Sequence, residues 1–201
     1  MRRHLKPPVN RVLRRQLARW ALACVAGLCL QAVLLPARAQ SAIPNHRLER
    51  KIKAAFLLRF LGYVEFPPHA FGDAGTPLTI GVVGADDLAA ELTRMVAARA
   101  DDQRAIVVRQ LRETEGAEPV HLLFVGGRDL EQVGRTVRQA GGALLVVTEC
   151  ENGLPKGSAI NFRLVDERVR FDVALDAAER NGVRLSSRLL TVANRVQKGV
   201  Q

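Results

Sequence analysis

Apolar positions change their spacing twice along the chain, and each change marks a different kind of element. From His46 to about Gly62, Leu48, Ile52, Ala55, Phe56, Phe60 and Tyr63 recur at helical spacing. Leu57, Leu58 and Leu61 widen that apolar face, while Arg47, Arg50, Lys51 and Lys53 charge the first half. Val64-Glu65-Phe66-Pro67-Pro68 ends the helix, because a residue before proline avoids helical geometry. Three nearly continuous apolar runs follow, Leu78 to Val83, Val120 to Val125 and Ala143 to Val147, as expected for strands covered on both faces of a parallel sheet. Ile106 to Val108 fits a further strand. Between the runs, one helix begins at Asp86-Asp87 and carries Leu88, Leu92, Met95 and Val96. Another opens on Asp129 with Gln132 three residues on, uses Val133 and Val137, and stops at Gly141-Gly142.

After Gly153-Leu154-Pro155-Lys156-Gly157 the spacing becomes two. Ile160, Phe162 and Leu164 alternate with Asn161 and Arg163, and Val169, Phe171 and Val173 alternate with Arg168, Arg170 and Asp172. With Asp166-Glu167 between them, the two runs predict a hairpin with one core face and one solvated face. A last helix, capped near Ser186, would bury Leu189, Leu190, Ala193 and Val196. Strands alternating with helices imply right-handed βαβ units. The expected fold is therefore a three-layer α/β sandwich, its sheet mostly parallel, with the hairpin at one edge.

The first 39 residues alter the electrostatic picture. Seven basic residues from Arg2 to Arg19, an apolar stretch from Trp20 to Leu35 and the small-residue pattern Ala37-Arg38-Ala39 form a secretory signal, with cleavage after Ala39. As a membrane anchor the stretch falls short of the ~20 residues that span a bilayer. Residues 40–45 are expected to be a disordered lead-in and residues 46–198 the folded domain. Leaving out the eight basic residues before position 40 leaves 22 Lys and Arg against 20 Asp and Glu, a net of +2. The basic character belongs mainly to the leader, which removes the argument for nucleic-acid binding. Cys150 is the one cysteine after residue 39, so the exported chain has no intrachain disulfide; as a redox candidate it is either a buried, inert thiol or an intermolecular one, and burial is favoured.

Catalytic and metal signals are sparse. Gly81-Val82-Val83-Gly84-Ala85-Asp86 lacks the third glycine of a dinucleotide fingerprint and reads as a tight strand-to-helix turn. His46, His69 and His121 are scattered, and His121, opening an apolar strand, reads as a structural histidine. Ser186-Ser187 reads as a helix cap, and nothing marks Asp172, Asp176 and Glu179 as an acid–base pair. No cofactor is expected. What stands out is surface: Arg163, Arg168 and Arg170 on the hairpin's polar face, with Arg180, Arg184 and Arg188 close behind, form either a solvated face or a contact surface for an acidic partner. The surplus apolar residues of the first helix serve either the core or a homodimer interface.

Several segments together resemble the YfiR family (the DUF4154 domain). They are Lys53-Ala54-Ala55-Phe56-Leu57 with Phe60, Val64, Glu65 and Pro67-Pro68; His121-Leu122-Leu123-Phe124-Val125; Ile160-Asn161-Phe162; Arg168-Val169-Arg170-Phe171-Asp172-Val173; and Ala177-Ala178, Gly182 and Leu185-Ser186-Ser187-Arg188-Leu189-Leu190. The resemblance implies a periplasmic regulator, not an enzyme. Characterised relatives bind the periplasmic sensor region of an inner-membrane diguanylate cyclase and hold it inactive, lowering cyclic di-GMP and biofilm formation. Disulfides support some relatives, and a single Cys150 has no equivalent pairing. The alternative reading is a periplasmic small-ligand-binding module, its site formed by the turns after Val83 and Val125 at the strand C-terminal ends.

Overall fold

A computed structural model describes residues 42–73, 75–99, 104–112, 119–127 and 129–198, and residues 46–201 group into one unit. The signal segment lies outside the described residues. The first helix, α1 (Ala42–Leu61), begins before the predicted His46, inside the segment expected as a lead-in. Its buried stripe is Lys53, Ala54, Leu57, Phe60 and Leu61. The predicted stripe was turned by one position: Leu48 and Ala55 are exposed, and Ile52 and Phe56 sit at its margin. The backbone bonds from Gly62 N–H to Arg59 O and Tyr63 N–H to Phe60 O close the helix. A two-residue strand, β1 (Val64–Glu65), and a 3-10 turn over Pro68–Ala70 follow.

The main sheet has seven strands: β2 (Leu78–Val83), β3 (Ile106–Leu111), β4 (Leu122–Val125), β5 (Leu145–Thr148), β6 (Ile160–Val165), β7 (Arg168–Ala174) and β9 (Arg195–Gln197), in the spatial order β3-β2-β4-β5-β6-β7-β9. From β3 to β6 all pairings are parallel, and the β6–β7 hairpin is antiparallel. Helix α2 (Asp86–Ala97) connects β2 to β3 in one direction, and α3 (Leu130–Gln139) connects β4 to β5 in the other, so the topology switches between β2 and β4. Asp129 caps α3 as expected, its carboxylate accepting from the Glu131 and Gln132 N–H groups. Alternation along the strands feeds two cores. Ile80, Val82, Leu122, Phe124 and Val147 face α1 and α2, whereas Val83, Leu123, Val125 and Val146 face Val133 and Val137 of α3. The three-layer α/β sandwich is thus the observed architecture.

Beneath the hairpin, Phe56 and Phe60 of α1 meet Phe171 at 5.5 and 5.1 Å between ring centroids, and Phe60 stacks on Phe162 at 5.8 Å. Burying each ring contributes about 1.5–3 kcal/mol, and each aromatic pair about 0.5–1.5 kcal/mol more. This packing fixes which face of the hairpin looks inward. Leu164, expected to look inward as well, is 57% exposed and lines a cleft with Glu49 and Lys53 of α1.

The C-terminal segment departs most from expectation. The single helix predicted from Ser186 is instead a short α5 (Ser187–Val192) followed by β9, and it is preceded by two elements that were not expected, α4 (Leu175–Arg180) and β8 (Arg184–Leu185). Strand β8 pairs antiparallel with β1 and ties the end of α1 to α5. Ser186 occupies the N-cap position of α5 but makes no side-chain cap bond; its carbonyl accepts from Leu189 N–H instead. Val196, assigned to the helix stripe, lies in β9 and is 38% exposed. Because β9 pairs parallel with Asp172–Ala174, the hairpin ends the sheet only over Arg168–Phe171 and is not its outermost element throughout.

Candidate functional site

Two polar regions of the described structure differ in how their charges are satisfied. The first lies at the C-terminal ends of β2, β4 and β5, where the turns after Val83 and Val125 meet. Gly84, at φ +69°, lies so close to the second turn that a Cβ there would stand 2.8 Å from Gly126 O. The two turns therefore close upon each other, and a cleft of about 540 Å³ opens beside them, lined in part by Arg50, Lys53, Asp87 and Glu149. Arg50 pairs with Asp87, and Lys53 with both Glu49 and, at 2.7 Å, Glu149. Burial pushes the Lys53 pKa down, but the Glu149 and Glu49 carboxylates together outweigh that and raise it above the usual lysine value. Each cation in this cleft already has a carboxylate, so an anionic ligand would meet no unpaired positive group there. Burial of Lys53 was not evident in the sequence, where it counted among the charges of the first half of α1.

Next to it, Thr148 Oγ1 donates to Asn161 Oδ1 at 2.7 Å and contacts Ser158 Oγ at 2.9 Å, and Asn161 Nδ2 donates to Cys150 O at 3.0 Å. Gly153 covers this knot, with room for hydrogen only: a Cβ there would fall 2.1 Å from Thr148 Oγ1. Cys150 is buried among Leu123, Val125, Val133 and Val146, and burial raises its thiol pKa above the ordinary value. A protonated, enclosed thiol is a poor nucleophile, which argues against a redox role. His121 is likewise enclosed. Thr79 N–H donates to its Nδ1 at 3.1 Å, so Nε2 carries the proton toward Ala70 O at 3.1 Å. Its ring stacks on Phe71 at 4.8 Å, and burial depresses its pKa. These contacts make it the structural histidine that its position in the sequence predicted. Among the described residues no group of three or more His, Cys, Asp or Glu side chains is placed to hold a metal ion.

The second region is the outward face of the hairpin. Cross-strand register puts Arg163 directly opposite Arg170 and Asn161 opposite Asp172, and β9 adds Arg195 opposite Asp172. Partners in register share a face, so Arg163, Arg168, Arg170 and Arg195 lie on one side of the sheet, all four exposed. The face is not wholly solvated: Asn161 and Asp172 are 5% and 4% exposed. Asp172 accepts from Asn194 Nδ2 at 2.7 Å and stands 3.6 Å from Arg163. Arg168, Arg170 and Arg195 have no carboxylate partner among the described residues. Like charges opposite one another on a sheet are destabilising by up to about 1 kcal/mol, so the Arg163–Arg170 pair is not explained by stability. The sequence identified three of these arginines from alternation. Arg195 was missed because its segment read as helix.

A family model for YfiR/HmsC-like proteins (DUF4154) matches residues 50–194. The chain belongs to the YfiR/HmsC-like family. Comparison with curated proteins finds no match. Within the family-matching region the motif residues divide by role. Phe56, Phe60, Phe162 and Phe171 form the aromatic packing of α1 on the hairpin, whereas Arg168 and Arg170 point away from it. No described helix of this YfiR/HmsC-like chain is long and apolar enough to cross a membrane.

Proposed function

We propose that this YfiR/HmsC-like protein is an exported, periplasmic regulator that acts by binding: it docks on the periplasmic sensor region of an inner-membrane diguanylate cyclase and holds the enzyme inactive, lowering cyclic di-GMP. The observation that carries this reading is the family match over residues 50–194. The basic hairpin face supports it, since Arg168, Arg170 and Arg195, exposed and with no carboxylate partner among the described residues, suit a contact with an acidic protein surface. A regulator outside the inner membrane never meets cyclic di-GMP made in the cytoplasm, so control passes through two states of the membrane enzyme. To swing such an equilibrium from about 1:99 to 99:1, the regulator must prefer the inactive state by about 10⁴-fold.

Deleting the gene tests this reading when cyclic di-GMP is measured and the protein is used to capture its partner from membranes. The expected result is a rise in cyclic di-GMP, restored by the wild-type gene, with a diguanylate cyclase co-purifying in stoichiometric amount. Unchanged cyclic di-GMP with no cyclase captured would contradict it.

A further inference from the structure

The sheet is unfinished along one stretch of its outer edge. Strand β9 pairs with Asp172, Val173 and Ala174 only. Toward the tip, Asn194 N–H bonds to Phe171 O at 2.8 Å, and among the described residues no strand pairs with Arg168–Phe171 on that side. Beside this stretch lies a groove of about 490 Å³ between the hairpin and the end of α5, lined by Val165, Arg168, Arg170, Val192, Ala193 and Asn194 and by one carboxylate, that of Asp166. Val192 is 64% exposed, although it ends a helix whose Leu189 is fully enclosed. The groove therefore offers three things together: a strand edge with no strand on it and two arginines with no ion-paired carboxylate, both among the described residues, and an exposed apolar side chain.

We propose that this groove receives an extended, acidic segment of a partner protein, added alongside β7, with carboxylates facing Arg168 and Arg170 and an apolar side chain resting on Val192. An extended chain fits because successive side chains on a strand alternate in direction, so one face can meet the arginines while the other meets the apolar floor. A cationic segment is disfavoured by the same arginines and by Arg163 and Arg195 on the adjoining face. The inference deepens the function proposed above and rests on it only for which protein supplies the segment.

A probe independent of any cyclase separates the two. The purified protein, isotope-labelled for backbone amides, is titrated with a short synthetic peptide alternating valine and glutamate, with its lysine counterpart, and with phosphatidylglycerol vesicles. The glutamate peptide is expected to shift the amides of Val169, Arg170, Phe171 and Asn194, with affinity falling about 10-fold or more as salt screens the contact. Binding should be lost in both Arg168→Glu and Arg170→Glu, whose unperturbed spectra elsewhere would report intact folding. No binding of the glutamate peptide, equal binding of the lysine peptide, or binding undiminished by both variants overturns the inference. Vesicles bound in preference to the peptide overturn it in favour of a lipid surface. A positive result with the peptide, combined with no cyclase captured from membranes, would sink the functional reading and leave the groove standing.

Discussion

The strand-end cluster and the hairpin face both gather charge, and they handle it in opposite ways. Around Lys53, the ammonium sits between Glu49 and Glu149, and nearby Arg50 holds Asp87, so each cation is neutralised inside the molecule. On the hairpin, Arg163 and Arg170 face each other, and Arg168 and Arg195 extend the same sign along the face, with Asp172 the one carboxylate within ion-pair distance among the described residues. The first arrangement fastens α1 to the loop after β5. In the second, Arg163 stands by the buried Asp172, while Arg168, Arg170 and Arg195 have no carboxylate partner among the described residues. A partner belongs where charge is left unmatched, and an apparent pocket whose charges are already matched is better understood as structure.

The contrast can be broken first at Lys53. Lys53→Met leaves Glu49 and Glu149 facing each other without a cation. Breaking a fully buried pair costs about 3–5 kcal/mol, but the two carboxylates here are 18% and 26% exposed, so solvent screening lowers the expectation to about 2–3 kcal/mol in urea denaturation. Adding Glu149→Gln should recover part of that loss; if it recovers none, the pairing is not what fastens α1. Gly153→Ala comes next. Its methyl would overlap Thr148 Oγ1 and Asn161 Oδ1, and overpacking of this kind costs about 1–3 kcal/mol. A wild-type midpoint in that variant would show that the turn is free to shift away from the knot.

A smaller, pH-dependent effect should come from His121. Its pKa is depressed in the fold, so the unfolded chain takes up the proton first as pH falls. The contribution of the neutral ring to stability is complete above the unfolded value of about 6.5 and is lost progressively below it. Thermal midpoints measured between pH 7.5 and about 5 should fall, and His121→Phe should flatten that component while lowering the midpoint at pH 7.5 through loss of the Thr79 and Ala70 bonds. An equal fall in the variant would assign the pH dependence to other groups.

Much of the layered core was legible in the sequence because period is a local property. Continuous apolar runs became the parallel strands, and alternation became the hairpin with Phe162 and Phe171 inward. Features set by distant partners were not legible. Lys53 looks like a surface charge until Glu149, 96 residues away, is brought to it. Arg195–Gln197 is too short to show a strand period, and Val196 completes a helical stripe as readily as it pairs with Val173. Leu164 keeps the alternation of its strand, yet is exposed beside the charged residues Glu49 and Lys53 of α1. At the hairpin, alternation was enough to place Arg163, Arg168 and Arg170 outward, and the groove beside them depended on the unforeseen break between α5 and β9.

The smallest expected effect on stability is also the most decisive for function. Arg170→Glu turns a like-charge pair with Arg163 into an opposite-charge one and should raise the unfolding free energy slightly, by no more than about 0.5 kcal/mol at this exposed position. At a desolvated contact with an acidic partner, the same reversal should weaken binding by about 2–5 kcal/mol. The direct test measures the melting midpoint of the purified variant and cyclic di-GMP in cells that carry it as the sole copy. An unchanged midpoint with cyclic di-GMP at the level of the gene deletion is the result expected if the hairpin face is the docking surface. An unchanged midpoint with wild-type cyclic di-GMP would contradict that assignment.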